Sequence, residues 1–295
     1  MKTRVAALLV FMLSLWTSCV QAHEIHAVAS FTVLADMVRQ IGGSHVQVRS
    51  LVGPNGDPHV YEPTPQDAEA LARADVVFVS GLGLEGWMNR LIRASGTKGA
   101  VVVASTGIPL RRMDEGGKEV IDPHAWNSAA NGIIYAKNIT NALIKIDPVH
   151  AADYRANGDA YEARLRKLDQ WARQAIDRIP VARRRVITSH DAFGYMGAAY
   201  GIRFLAPVGF STESEASASE VAQLVDQIRR TRIHAVFLEN SNDPRLIEQI
   251  ASETGVHVGG TLYPEALSTA DGPASTYVSM FRYNIETLLR GMSSP

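Results

Sequence analysis

The chain has 295 residues, 46% of them hydrophobic and 20% charged, so it can bury one large core or two ordinary ones and is not a disordered tail. A formal net charge of −1 argues against nucleic acid or an anionic membrane surface as its partner. A single cysteine excludes both a disulfide framework and a thiolate zinc cluster within the chain. Nine histidines remain as the conspicuous feature.

The first 22 residues are typical of a secretory signal peptide. Lys2 and Arg4 precede an apolar run over residues 5–16, and small residues then lead to a cleavage position after Ala22. The apolar run is shorter than the roughly 20 residues that a membrane span needs. Lipidation of Cys19 is the less favoured alternative. We therefore expect an exported, periplasmic protein.

Short β-rich runs alternate with helical patterns along the rest of the chain, which predicts α/β architecture with mainly parallel sheets. Predicted helices cover residues 32–41 and 65–73. The predicted strands cover residues 26–30, 46–51, 75–80, 101–104, 185–189, 202–204, 235–239 and 256–258. Because the pattern restarts near residue 185, we expect two comparable Rossmann-like lobes.

A long rigid helix is predicted between the two lobes, over residues 148–180. This segment is rich in helix formers, carries apolar residues at helical spacing and has no proline between Pro148 and Pro180. About 30 helical residues would be roughly 45 Å long and would limit movement between the lobes. The expected division is therefore an N-terminal lobe over 23–147, the linking helix, and a C-terminal lobe over 181–295.

An Asp-Pro-His triplet occurs twice in the N-terminal half, ending at His59 and at His124. Each proline fixes its own φ and restricts the residue before it, so a stiff backbone presents each histidine. The first residues of the triplets, Asp57 and Asp122, could orient the imidazole or a neighbouring amide. The repeated triplet therefore predicts a metal site.

The C-terminal half adds His190 and Glu265 as candidates. His190 directly follows a predicted strand, and ligands bind beside the carboxyl ends of strands in open α/β sheets. Glu265 follows the last predicted strand and could supply a carboxylate. A serine hydrolase built on Ser189 or Ser211 with His190 is disfavoured, because the chain has no Gly-x-Ser-x-Gly turn.

These motifs, taken in order, resemble the metal-binding solute-binding proteins of ABC importers, the TroA-like group that delivers zinc or manganese to a membrane permease. The matching segments are residues 57–59, 122–126, 188–201, 237–241 and 262–268. The resemblance implies that His59, His124 and His190 are metal ligands. Glu265 stands where the family usually has aspartate. Glu239 matches a family acid near the site, and we expect it to support a ligand rather than to bind metal.

Three imidazoles and one carboxylate favour Zn²⁺, with Mn²⁺ as the alternative. The His-rich loop that many zinc-specific family members carry is missing here, which weakens that preference. The other six histidines match no ligand pattern; they are His23, His26, His45, His150, His234 and His257.

The expected function is capture of a divalent metal and its delivery to an ABC permease by a monomeric protein without enzymatic activity and without nucleic-acid partners. Two alternatives remain. One is a zinc-dependent hydrolase that uses the same three histidines with a metal-bound water, and the other is a surface adhesin.

Overall fold

The structure is a computed structural model that describes residues 24–115, 117–209, 212, 217–231, 233 and 235–293. The predicted signal peptide and Cys19, and with them His23 and His234, lie outside the described residues. The strands are β1 (Ile25–Ala29), β2 (Val46–Ser50), β3 (Val76–Val79), β4 (Ala100–Val103), β5 (Arg112–Glu115), β6 (Lys118–Ile121), β7 (Arg185–Ile187), β8 (Arg203–Leu205), β9 (Ala235–Glu239) and β10 (His257–Leu262).

Helices follow most of the strands in the chain. They are α1 (Thr32–Gly42), α2 (Pro65–Arg73), α3 (Met88–Ser95), α4 (Ala129–Ile146), α5 (Ala151–Ile176), α6 (Gly194–Tyr200), α7 (Ala218–Thr231), α8 (Arg245–Thr254) and α9 (Tyr277–Ser293). Among the described residues, no helix is long and apolar enough to span a membrane.

Two four-stranded sheets organise the molecule, and every strand pair within them is parallel. Their strand orders are β2-β1-β3-β4 and β10-β9-β7-β8. Strand β3 lies between β1 and β4 and is buried along its whole length, as expected of an inner parallel strand covered on both faces. The antiparallel hairpin of β5 and β6 stands apart from both sheets. The predicted α/β class with mainly parallel sheets is confirmed.

Helix α5 joins the two lobes and is 26 residues long, or about 39 Å, somewhat shorter than expected. A 3₁₀ turn, Pro148–His150, occupies the beginning of the predicted helical segment. The helix packs against α1, α4 and α9, so it is part of the core as well as a connection. Gly158 of α5 packs tightly against the Thr140 side chain of α4, since a Cβ added to Gly158 would lie 2.3 Å from Thr140 Oγ1.

The site follows from where the parallel strands end. Loops at the carboxyl ends of β2, β7, β9 and β10 lead into the segments that hold His59, His190, residues 240–242 and Glu265. The hairpin strand β6 ends directly before Asp122 and so delivers His124 to the same region. Loops from the carboxyl ends of strands in both sheets therefore meet in one region, and ligands of open α/β sheets bind at such strand ends.

Candidate metal centre

The two Asp-Pro-His triplets present their histidines in related ways. The backbone N–H of His59 donates to Asp57 Oδ1 at 2.8 Å, and that of His124 donates to Asp122 Oδ1 at 3.0 Å. Asp122 Oδ1 also lies 3.0 Å from His124 Nδ1, so this carboxylate orients the ring and leaves Nε2 to face the site. Asp57 holds the backbone of its triplet, and its second oxygen accepts a hydrogen bond from Thr212.

His190 is oriented by the end of the neighbouring strand β9. Glu239 Oε2 lies 2.5 Å from His190 Nδ1, and Glu239 Oε1 accepts the backbone N–H of Ser189 at 3.0 Å. Asn242 Nδ2 donates to the same Glu239 Oε2 at 2.6 Å. As with His124, a carboxylate occupies the Nδ1 side of the ring, and Nε2 is turned toward the site.

Four side-chain atoms from the two lobes converge. His59 Nε2 lies 3.1 Å from His124 Nε2. Glu265 Oε2 lies 3.2 Å from the Nε2 of His59, 3.8 Å from that of His124 and 3.5 Å from that of His190. One ligand atom from each residue lies within 4.8 Å of all the others. A tetrahedral metal with bonds of about 2.0–2.1 Å has ligand–ligand distances of about 3.3–3.4 Å. The four measured distances bracket that value.

The four residues are almost completely removed from solvent, with exposed fractions of 5% for His59 and 0% for the other three. His190 Nε2 and Glu265 Oε2 are buried and make no hydrogen bond. Buried polar atoms are rarely left in this state, because they lose solvation without compensation. Both atoms point at the centre of the cluster, where a cation would satisfy them.

Burial and neighbouring charges shift the pKa values of His124 and His190 in opposite directions. Burial lowers the pKa of His124 and outweighs the raising effect of Asp122, so this ring is neutral and ready to bind metal. Burial also disfavours charge on His190, but Glu239 and Glu265 outweigh it and hold the pKa of His190 well above its usual value. Burial alone would raise the pKa of Glu265, yet the neighbouring His190 and His59 hold that pKa well below the usual range.

Supporting contacts reach the ligand loops from distant parts of the chain. Arg111 Nη1 lies 2.9 Å from Asp122 Oδ2 and ties down the carboxylate that orients His124. Trp87 Nε1 donates to the carbonyl of Pro58 at 2.8 Å, and Trp126 Nε1 donates to that of Pro264 at 2.8 Å. Each indole therefore holds the proline that immediately precedes a residue of the buried cluster, His59 or Glu265.

Several of these supporting residues were missed by sequence reasoning. Ser241 donates to Glu265 Oε1 at 3.1 Å, and Asn242 reaches Glu239; neither was singled out, although Ser241 belongs to a segment that carried the family resemblance. Arg111 and Trp87 were also missed, because no local pattern links them to residues 11 and 29 positions away.

The remaining described histidines lie outside the cluster. His45 and His150 stack with ring centroids 3.8 Å apart, and each contacts an aspartate, Asp153 or Asp147. His26 contacts Gln47 on the exposed side of the first sheet, and His257 is exposed at the start of β10. None of these rings is oriented toward a second group of ligands in the part of the chain that the structure describes.

Two lobes built on parallel sheets, a long joining helix and a buried cluster of three histidines and one glutamate drawn from both lobes are the features of a two-lobed metal-binding protein. The family of the periplasmic zinc-uptake complex component A, ZnuA, matches residues 27–291. The chain belongs to this family, the metal-binding substrate-binding proteins of ABC transporters. Its members are transport proteins rather than enzymes, so the hydrolase alternative is not supported.

Curated relatives differ in the metal that their names give. The chain is 34% identical to the iron-binding protein YfeA of Yersinia pestis over 274 residues, which covers 92% of this chain and 87% of YfeA. It is 36% identical to the manganese-binding lipoprotein MntA of Bacillus subtilis over 275 residues, which covers 91% and 90% of the two chains.

The solved structures that the chain resembles also differ in the metal for which they are named. The periplasmic zinc-binding protein TroA of Treponema pallidum superposes with a TM-score of 0.87 at 31% identity, over 92% of this chain and 100% of TroA. A manganese-bound periplasmic metal-binding protein of Candidatus Liberibacter asiaticus superposes with a TM-score of 0.82 at 28% identity, over 91% and 99%. Membership of the family therefore establishes divalent metal binding and leaves the metal open.

Proposed function

We propose that this protein captures Zn²⁺ outside the cytoplasm and delivers it to the permease of an ABC importer, with His59, His124, His190 and Glu265 as the metal ligands. The observation that carries this proposal is the convergence of three imidazole nitrogens and one carboxylate oxygen in a buried cluster. Glu265 Oε2 lies 3.2–3.8 Å from the three Nε2 atoms, and the Nε2 atoms of His59 and His124 are 3.1 Å apart. Asp57, Asp122 and Glu239 support the ligands without binding the metal.

The donor set favours zinc over manganese. Three neutral nitrogens and one oxygen suit a four-coordinate Zn²⁺ ion, whereas Mn²⁺ prefers more oxygen donors and a higher coordination number. At most sites built from nitrogen and oxygen donors, intrinsic affinity also rises from manganese to zinc. Manganese is the second candidate, because the relative MntA, 36% identical, is named for it.

Metal titration of the purified, metal-stripped protein tests this proposal. We expect zinc to bind more tightly than manganese or ferrous iron, with one ion per chain. His59→Ala and His190→Ala should each weaken zinc binding at least 100-fold, since each variant removes a ligand. His257→Ala, which changes an exposed histidine, should bind zinc like the wild type. Preferential binding of manganese, or unchanged binding in both ligand variants, would refute the assignment.

Glu265→Ala tests the fourth ligand separately. Loss of the carboxylate should leave three imidazoles and an open coordination position, so zinc should still bind, but more weakly. An affinity equal to that of the wild type would show that Glu265 is not a ligand.

We further propose that the protein acts as a monomer, which size-exclusion chromatography with light scattering tests. We also propose cleavage of the signal peptide after Ala22, with a lipid on Cys19 as the alternative.

A further inference from the structure

The two carboxylate oxygens of Glu265 have different surroundings. Oε2 is the oxygen that lies 3.2–3.8 Å from all three imidazole nitrogens, and it makes no hydrogen bond. Oε1 instead accepts a hydrogen bond from the hydroxyl of Ser241 at 3.1 Å. One oxygen is therefore turned toward the metal position, and the other is engaged by the protein.

Ser241 is held in place by the same strand end that orients His190. It lies two residues after Glu239, which contacts His190, and directly before Asn242, which donates to Glu239. On its other side, Asn240 Nδ2 donates to the carbonyl of Ala266 at 3.3 Å, next to Glu265. The segment from Glu239 to Asn242 therefore fixes the position of the hydroxyl relative to the carboxylate.

We propose that Ser241 is a specificity-determining residue that limits Glu265 to one metal bond and so favours zinc over manganese. This inference rests on the proposed function. A glutamate that bound through both oxygens would give five contacts with two oxygen donors, an environment closer to what manganese prefers. The hydrogen bond from Ser241 stabilises Oε1 away from the metal, and it must weaken or reorient before a second metal–oxygen bond forms.

Ser241→Ala measures the effect of that hydrogen bond. We expect the ratio of the manganese to the zinc dissociation constant to fall about tenfold, the size expected for the loss of one hydrogen bond to a charged group. Cobalt(II) provides a readout of coordination, since four-coordinate tetrahedral Co²⁺ absorbs visible light more strongly than five-coordinate Co²⁺. The visible absorption of the cobalt-loaded S241A variant should therefore be weaker than that of the wild type.

Two controls separate this role from a general disturbance of the loop. Ser241→Thr and Ser241→Val have nearly the same shape, but only threonine keeps the hydroxyl, so S241T should resemble the wild type and S241V should resemble S241A. Ser105→Ala removes a buried hydroxyl that makes no hydrogen bond and follows β4, on a loop that carries none of the four clustered residues. It should leave both the metal ratio and the cobalt spectrum unchanged.

The outcomes are distinct for the two proposals. If the wild type binds zinc in a four-coordinate site and S241A and S241V match it in metal ratio and cobalt spectrum, the role of Ser241 is refuted and the proposed function stands. If S105A shifts the ratio as far as S241A does, the role of Ser241 is likewise refuted. If the wild type does not prefer zinc, the proposed function itself fails.

Discussion

The rings of His124 and His190 are oriented by different carboxylates. Asp122 holds the ring of His124 and is itself paired with Arg111. Glu239 holds the ring of His190. Such carboxylates fix the tautomer and direction of a metal-binding imidazole, so they affect metal affinity without touching the metal. The acid that orients His124 thus belongs to the same Asp-Pro-His triplet, whereas the acid that orients His190 lies 49 positions further along the chain.

Glu239→Gln should weaken zinc binding by about 10- to 100-fold, the usual effect of removing such a carboxylate partner. Glutamine keeps the shape of the side chain, but it lacks the charge that stabilises the His190 ring. Competition with a chromophoric chelator measures the change. Glu248→Gln alters an exposed acid in the first turn of α8 and is the matched control. An E239Q affinity within twofold of that of the wild type would contradict this role.

Zinc binding near neutral pH should release about one proton. In the metal-free protein the pKa of His190 lies well above its usual value, because Glu239 and Glu265 outweigh the effect of burial. Its ring therefore carries a proton on Nε2 at pH 7, and the metal must displace it. Apparent zinc affinity should rise with pH until that raised pKa is passed, since fewer protons then compete.

Calorimetric titrations in buffers with different ionisation enthalpies measure the number of protons released. In E239Q the number should be lower at pH 7, because one of the two charges that raise the His190 pKa is gone. His124 should contribute little to the release, since burial lowers its pKa and it is already neutral. Equal heats in all buffers would contradict the assignment of a protonated His190.

At the scale of elements, helix α5 packs closely against α4 and α1 around residues 157 and 158. Gly158 faces Thr140 on α4 so closely that an added Cβ would lie 2.3 Å from the Thr140 hydroxyl oxygen. Asn157 on the same helix donates to the carbonyl of Ile41 at the end of α1. These contacts attach α5 to α4 and α1.

Gly158→Leu should reduce the free energy of unfolding by about 1–3 kcal/mol or more, the usual range for overpacking a core. The leucine side chain would have to push α4 away from α5, because no space exists at their crossing. Ala160→Leu adds the same side chain at an exposed position of α5 and is the control. Chemical denaturation measures both variants; a G158L protein as stable as A160L would contradict the close approach.

The elements with a regular pattern could be predicted from the sequence, whereas those defined by distant partners could not. Predicted strands at 46–51 and 235–239 match β2 and β9 within one residue, because apolar and polar residues alternate along β2 and four consecutive apolar residues begin β9. The hairpin of β5 and β6 was not predicted, since its residues are largely polar and it joins neither sheet. Helix α9 was also missed; its place is set by contacts such as that of Tyr277 N–H with Asp36, 241 positions away.

The same distinction applies to the metal centre. His59 and His124 stand out because their triplet is repeated, and His190 stands out because it follows a strand. Ser241 has no such local signal. Its importance depends on the position of Glu265, 24 residues further along, and only the folded β9 and β10 bring the two together.

At the scale of the whole molecule, the centre joins parts of the chain on either side of α5. His59 and His124 precede that helix, and His190 and Glu265 follow it. Trp126 and Asn127 add a second connection, because the indole N–H and the amide both donate to the carbonyl of Pro264, at 2.8 and 3.0 Å. Pro264, which precedes Glu265, is thus held by two residues that closely follow His124.

Trp126→Phe should therefore speed the release of zinc. Phenylalanine keeps most of the packing against Phe31, whose ring centroid lies 4.8 Å from that of Trp126, but it removes one of the two hydrogen bonds to Pro264. A typical net value of about 1 kcal/mol for that bond corresponds to roughly fivefold faster release. Stopped-flow transfer of zinc to an excess of chelator measures the rate.

Trp171→Phe is the matched control, because Trp171 lies on α5 and contacts Arg282 rather than a ligand loop. Its release rate should equal that of the wild type. The association rate of W126F should change much less than its dissociation rate, since the hydrogen bond holds the ligands together after the ion has entered. If W126F released zinc at the wild-type rate, the contact with Pro264 would be packing alone, and the two halves of the centre would be held together by the metal ligands themselves.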